Sequence, residues 1–144
     1  MLYTPLIKKA LLISFNVHKD QFDKSGTPYI YHPFHLAEQM QDEYTICVAL
    51  LHDTVEDGKI TLDYLRSEGF PDEIVEAVKL MTHKKRVPYL DYIKNLKKKP
   101  IACAVKIADL EHNMDVTRLN VLDIKTYERL EKYKKAIQIL KETN

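Results

Sequence analysis

At 144 residues and a formal charge of +1, the chain is long enough for one domain with a buried core. It carries no charge imbalance that would select nucleic acid or an anionic membrane as its partner. No apolar run approaches the roughly 20 residues that span a bilayer and the N-terminus lacks a cleavable signal pattern, which places the protein in the cytoplasm and away from membranes. Its two cysteines, Cys47 and Cys103, sit in apolar runs without metal-ligand spacing and are expected to be small buried hydrophobes of a reduced protein.

Three glycines and long stretches of 3.6-residue periodicity predict an all-α chain, a single helical bundle over residues 1–144. Thr4-Pro5 is a cap and first-turn pair for a helix ending near His18. The pattern breaks from Lys19 to Tyr31, where Lys24-Ser25-Gly26-Thr27-Pro28 is the strongest loop signal. Pro33 suits the first turn of a second helix, Phe34 to Met40, with His32 at its N-terminal edge. A third helix begins in the apolar run Cys47 to Leu51, continues through His52, Asp53, Glu56 and Asp57, and ends around Gly58.

Thr61 caps a short helix that Gly69 stops, and Pro71 starts another through Met81. Pro88 opens a helix closed by Lys97-Lys98-Lys99, whose charge suits a helix C-terminus. Pro100 begins a strongly apolar helix running to Asp115. The last helix runs from an Asp123 cap to about Lys141, and its stripe of Ile124, Tyr127, Leu130, Tyr133, Ile137 and Leu140 is expected to pack against the core.

Two apolar helices that each end in acids and histidines suggest one shared pocket. Asp109, His112 and Asn113 share a helix face, because positions three and four apart are neighbours. Buried carboxylates are costly without a compensating cation, and a divalent metal would supply one. His32, His52, Asp53 and Asp109 are the candidate ligands, and mixed imidazole and carboxylate donors suit manganese, iron or zinc better than calcium. Glu56 and Asp57 are candidates to orient water and move its proton. His18, His35, His83 and His112 are assigned structural roles, as a lone histidine usually has one.

His32-Pro33, His52-Asp53, Glu56-Asp57 and Val105-Lys106-Ile107-Ala108-Asp109, followed by His112-Asn113-Met114, resemble the hydrolase domain of the RelA/SpoT alarmone enzymes. These belong to the HD-domain metal-dependent phosphohydrolases. The resemblance covers residues 1 to about 120, with its blocks in the family's order. It implies an all-helical HD fold that binds one metal, usually manganese, through His32, His52, Asp53 and Asp109, with Glu56 and Asp57 serving the attacking water. It also implies a small-molecule nucleotide substrate, the 3′-pyrophosphate of guanosine tetraphosphate (ppGpp) being the bond cleaved. Lys24 and Ser25 match the loop that holds the base, and Asn113 matches the residue that contacts the ribose. For such a substrate, Lys24 and then Lys106 or Arg86 are candidates to offset phosphate charge.

Two positions depart from the family pattern. Asp23 and Asp115 stand where arginine is usual, putting negative charge beside a polyphosphate site. The departures bear on the choice of substrate rather than on the metal. A phosphohydrolase of different substrate choice and a non-catalytic nucleotide-binding HD module are the alternatives. At this length no synthetase domain, and so no pyrophosphokinase activity, is expected. Nucleic-acid binding through Lys84-Lys85-Arg86 and Lys97 to Lys99 is disfavoured, since these runs are short and lack interleaved aromatic platforms.

Overall fold

Side-chain caps open four of the eight described α-helices. In this computed structural model, which describes residues 1–56 and 59–142, the Thr4 hydroxyl accepts from Ile7 N at 3.2 Å and opens α1 (Pro5–His18). The Asp42 carboxylate does the same for Thr45 N at 2.9 Å, opening α3 (Glu43–Leu51). Thr61 caps α4 (Leu62–Ser67), and Asp123 and Thr126 exchange bonds in a capping box that opens α8 (Ile124–Lys141). The remaining helices are α2 (Tyr31–Glu38), α5 (Asp72–Met81), α6 (Tyr89–Leu96) and α7 (Pro100–Asn113). Among the described residues there are no strands beyond one isolated bridge, Phe22 with Pro28, so the all-α expectation holds.

Every residue of α3 from Thr45 to Leu51 is buried, and a helix that is apolar all round must lie inside its protein. It packs against α1, α2, α5 and α7, which makes it the axis of the bundle. Leu50 is fully buried there. Leu50→Ala is therefore expected to lower unfolding free energy by about 2–5 kcal/mol in a urea titration, the usual range for truncating a core leucine. No helix among the described residues is long and apolar enough to cross a membrane.

Three boundaries differ from expectation. α3 stops at Leu51 rather than near Gly58, because Thr54 turns both its N–H (3.0 Å) and its hydroxyl (2.7 Å) onto the Leu51 carbonyl. His52, Asp53 and Glu56 are thus carried by successive turns and not by one helical face, while Asp57 and Gly58 lie outside the described residues. α2 starts at Tyr31, not Phe34, since Pro33 falls in its first turn, where a missing N–H costs nothing. His32 is therefore inside the helix. α7 ends at Asn113, two residues before Asp115.

The stripe on α8 packs only in part. Leu140 is buried, but Ile124 and Tyr127 are 76% and 58% exposed; in the first turn of α8 the buried side chain is Thr126, which lies between them.

Candidate active site

Three helices of the bundle deliver the central cluster. His32 from the first turn of α2, His52 from the C-cap of α3 and Asp109 from α7 bring one ligand atom each within 4.8 Å of one another, all buried. His32 Nε2 lies 2.8 Å from Asp109 Oδ1, and His52 Nε2 lies 3.7 Å from the same oxygen. Asp53 stands at the edge of the cluster. Its Oδ2 is 3.2 Å from His52 Nε2 and accepts the Tyr29 hydroxyl.

The charges around Asp109 are arranged to keep it ionised. Burial alone would push its carboxyl up, but the Lys106 ammonium and then the hydrogen bond from His32 outweigh this and hold it well below the ordinary range. Lys106 Nζ donates to Oδ2 at 2.8 Å, and Asn113 Nδ2 donates to Oδ1 at 3.1 Å. For Lys106 the balance is similar: burial opposes its charge, and Asp109 more than compensates, raising its pKa. Burial lowers the His32 pKa against the pull of Asp109, which favours the neutral imidazole that metals bind.

The donor set fits a divalent ion. His52 donates through Nδ1 to the Ala49 carbonyl at 2.7 Å, so its Nε2 bears a lone pair, and this buried atom has no hydrogen-bond partner. An unsatisfied buried nitrogen beside an ionised carboxylate and a second imidazole is costly unless a cation completes it.

The cluster opens on a cavity of about 380 Å³ lined by Lys24, Lys106, Arg118 and Arg129 as well as His32, Asp53 and Asp109. Of the expected substrate contacts, Lys24, Ser25 and Asn113 all line it. Glu56 is exposed and is not part of this lining, and Arg86 is absent from it too; Asp57 lies outside the described residues.

The two unexpected acids serve the backbone. Asp23 accepts from Ser25 N at 2.9 Å and Thr27 N at 3.0 Å, closing a tight loop in which Gly26 takes φ +85°, a conformation costly for other residues. Asp115 accepts from Thr117 N at 3.0 Å and the Thr117 hydroxyl at 2.6 Å, capping the 3-10 turn Val116–Arg118. That turn brings Arg118 over the cavity, with Nη2 3.8 Å from Asp23 Oδ2 and Nη1 donating to the His112 carbonyl at 2.8 Å. Arg118 and Arg129 line the same cavity as Asp23 and Asp115.

Sequence reasoning missed Tyr29, Arg118, Arg129 and His112. Arg129 and Tyr133 lie one turn apart on α8 and both line the cavity, so part of the stripe expected to be packing faces the site. Their spacing was the available signal, but nothing local says which way that face of α8 turns. His112 contacts His32 directly, Nδ1 to Nδ1 at 2.7 Å, and burial together with Arg118 lowers its pKa to about 4. His18 and His83 keep structural roles, bonded to Gln21 Oε1 at 2.9 Å and the Val87 carbonyl at 2.7 Å.

An all-helical bundle with a buried histidine and aspartate cluster at the end of its central helix is the HD-type architecture. No family model matches the chain. A probable GTP pyrophosphokinase of Mycobacterium leprae is 36% identical over 126 residues, covering 78% of this chain and 16% of that protein. The GTP pyrophosphokinase of Myxococcus xanthus is 36% identical over 127 residues, 76% of this chain and 17% of that protein. The chain thus spans about a sixth of the length of these curated relatives. A solved structure of a metazoan ortholog of SpoT, described as hydrolyzing ppGpp, matches all of this chain and 90% of its own with a TM-score of 0.80 at 22% identity. Over about three quarters of its length the chain is similar in sequence to these GTP pyrophosphokinases, and it has the fold of that SpoT ortholog.

Proposed function

We propose that the protein is a divalent-metal-dependent phosphohydrolase that removes the 3′-pyrophosphate of ppGpp, with manganese as its metal. The observation that carries this reading is the buried His32, His52 and Asp109 cluster, with its unsatisfied His52 nitrogen, facing a cavity lined by lysines and arginines. The relatives support it: a metazoan SpoT ortholog of the same fold is described as hydrolyzing ppGpp. Residues 1–144 form one HD-type domain in this reading, built on the common core around α3, and the protein works in the cytoplasm.

His32, His52 and Asp109 would hold the metal, with Asp53 beside them as the fourth ligand. When bound, the ion supplies Lewis acidity and brings the pKa of water toward about 7. The remaining work falls to the chain. Lys24, Arg118 and Arg129 balance the charge of the two diphosphate groups, and guanidinium forks match phosphate oxygens in pairs. Ser25 and Asn113 orient the nucleoside. Glu56 and Asp57 take the proton from the attacking water and return one to the leaving oxygen. Asp23 and Asp115 shape the loops that carry Ser25 and Arg118, so their charge is offset where it stands.

A nucleotide panel assayed in parallel with manganese, magnesium and zinc tests the reading. Release of pyrophosphate from ppGpp, greatest with manganese, is expected. Hydrolysis of a different nucleotide in preference to ppGpp would reassign the substrate, and tight nucleotide binding without turnover would mark a non-catalytic module. Arg129→Met is expected to raise KM for ppGpp about tenfold or more in steady-state assays, the worth of a charge-assisted hydrogen bond, with a smaller change in kcat.

A further inference from the structure

The two buried histidines of the cluster are anchored in the same manner from different sources. Each presents Nε2 to Asp109 Oδ1, His32 at 2.8 Å and His52 at 3.7 Å. Each is held from behind through Nδ1. For His52 the anchor is the Ala49 carbonyl at 2.7 Å, a group that can only accept, so the proton sits on Nδ1 and Nε2 is left as a donor of electrons. For His32 the anchor is His112 Nδ1, at 2.7 Å.

The contact between these rings is end-on. Their planes differ by 6° and their centroids are 5.0 Å apart, about the 2.7 Å contact plus two ring radii, so one nitrogen points at the other within a shared plane. His35 stacks on His112 at 4.1 Å between centroids and 23° between planes. The pairs interleave because His32 and His35 are one turn apart on α2, as are Asp109 and His112 on α7. His112 is thereby clamped at both its edge and its face.

We propose that His112 is a positioning residue for the metal ligand His32. Its contact with Nδ1 holds the ring orientation that turns His32 Nε2 toward Asp109, and it offers an acceptor for the Nδ1 proton that a cation on Nε2 requires. With a cation on Nε2, His32 must carry its proton on Nδ1, so His112 Nδ1 accepts and His112 keeps its own proton on Nε2. Outer partners of this kind orient ligands and raise their basicity, and losing one usually costs about 10–100-fold in metal affinity. The inference rests on the metal reading above.

Manganese affinity measured by titration calorimetry on two variants separates acceptor from filler. Asparagine carries an acceptor oxygen near the place of imidazole Nδ1, whereas phenylalanine keeps the ring and its stacking on His35 without the acceptor. His112→Phe is expected to weaken binding about 10–100-fold, and His112→Asn to stay within about threefold of the unaltered protein. Phe binding as tightly as the unaltered protein, or folded Asn binding as weakly as Phe, would overturn the role. If the Phe variant does not fold, nitrogen-15 NMR of the zinc-loaded unaltered protein decides. A protonated His32 Nδ1 with scalar coupling across the hydrogen bond to His112 Nδ1 is expected, and an unprotonated Nδ1 or no coupling would overturn the proposal. Unaltered protein that bound no metal would instead overturn the metal reading itself, which separates the two failures.

Discussion

Asp109→Ala is expected to abolish metal binding and turnover together. Asp109 is 5% exposed and is the point on which His32, Lys106 and Asn113 converge, with His52 close by. Removing it deletes the one carboxylate of the buried cluster and also strands the Lys106 ammonium. Breaking a buried ion pair from one side costs about 3–5 kcal/mol, so thermal melting should report a loss of stability as well. Asp109→Asn separates the effects, since it keeps the volume and an acceptor but not the charge. Metal affinity and activity should remain lost in Asn while part of the stability returns. Asp53→Ala is expected to lose metal and turnover as well, and retention of manganese with full activity in that variant would count against Asp53 as a ligand.

The second large effect is at Glu56. Its carboxylate is exposed in the turns after α3. A group that moves protons without holding the metal should affect rate and not affinity. Glu56→Gln is expected to lower kcat by about 10²–10⁴-fold, the usual contribution of general acid–base catalysis, with manganese affinity unchanged. Calorimetry and steady-state kinetics on the same preparation check it. Loss of metal binding in Glu56→Gln would make it a ligand, and unchanged kcat would remove it from proton transfer.

Fold and site were legible to different depths. Caps at Thr4, Thr61 and Asp123 could be read because a cap is a local event between a side chain and an amide three residues on. The end of α3 could not, because it turns on Thr54 choosing the Leu51 carbonyl, a choice that an apolar run followed by acids does not encode. His52 and Asp109 could be nominated from buried helices that end in polar residues, and His32 from its place at the N-terminal edge of the second helix, where a loop enters it. His112, Arg118 and Arg129 could not, since periodicity tells which side chains share a face and not which neighbour that face meets. For Asp23 and Asp115 the sign of the charge was legible, but its use was not. Both carboxylates are engaged by backbone amides two to four residues on, and the cavity also holds Arg118 and Arg129, distant in sequence from Asp23.

The most direct test is the product of the manganese-loaded protein acting on purified ppGpp. The expected result is GDP and pyrophosphate in equal amounts, dependent on the metal and abolished in Asp109→Asn. Metal-loaded, folded protein that leaves ppGpp intact, or that cleaves it only on the 5′ side, would contradict the assignment.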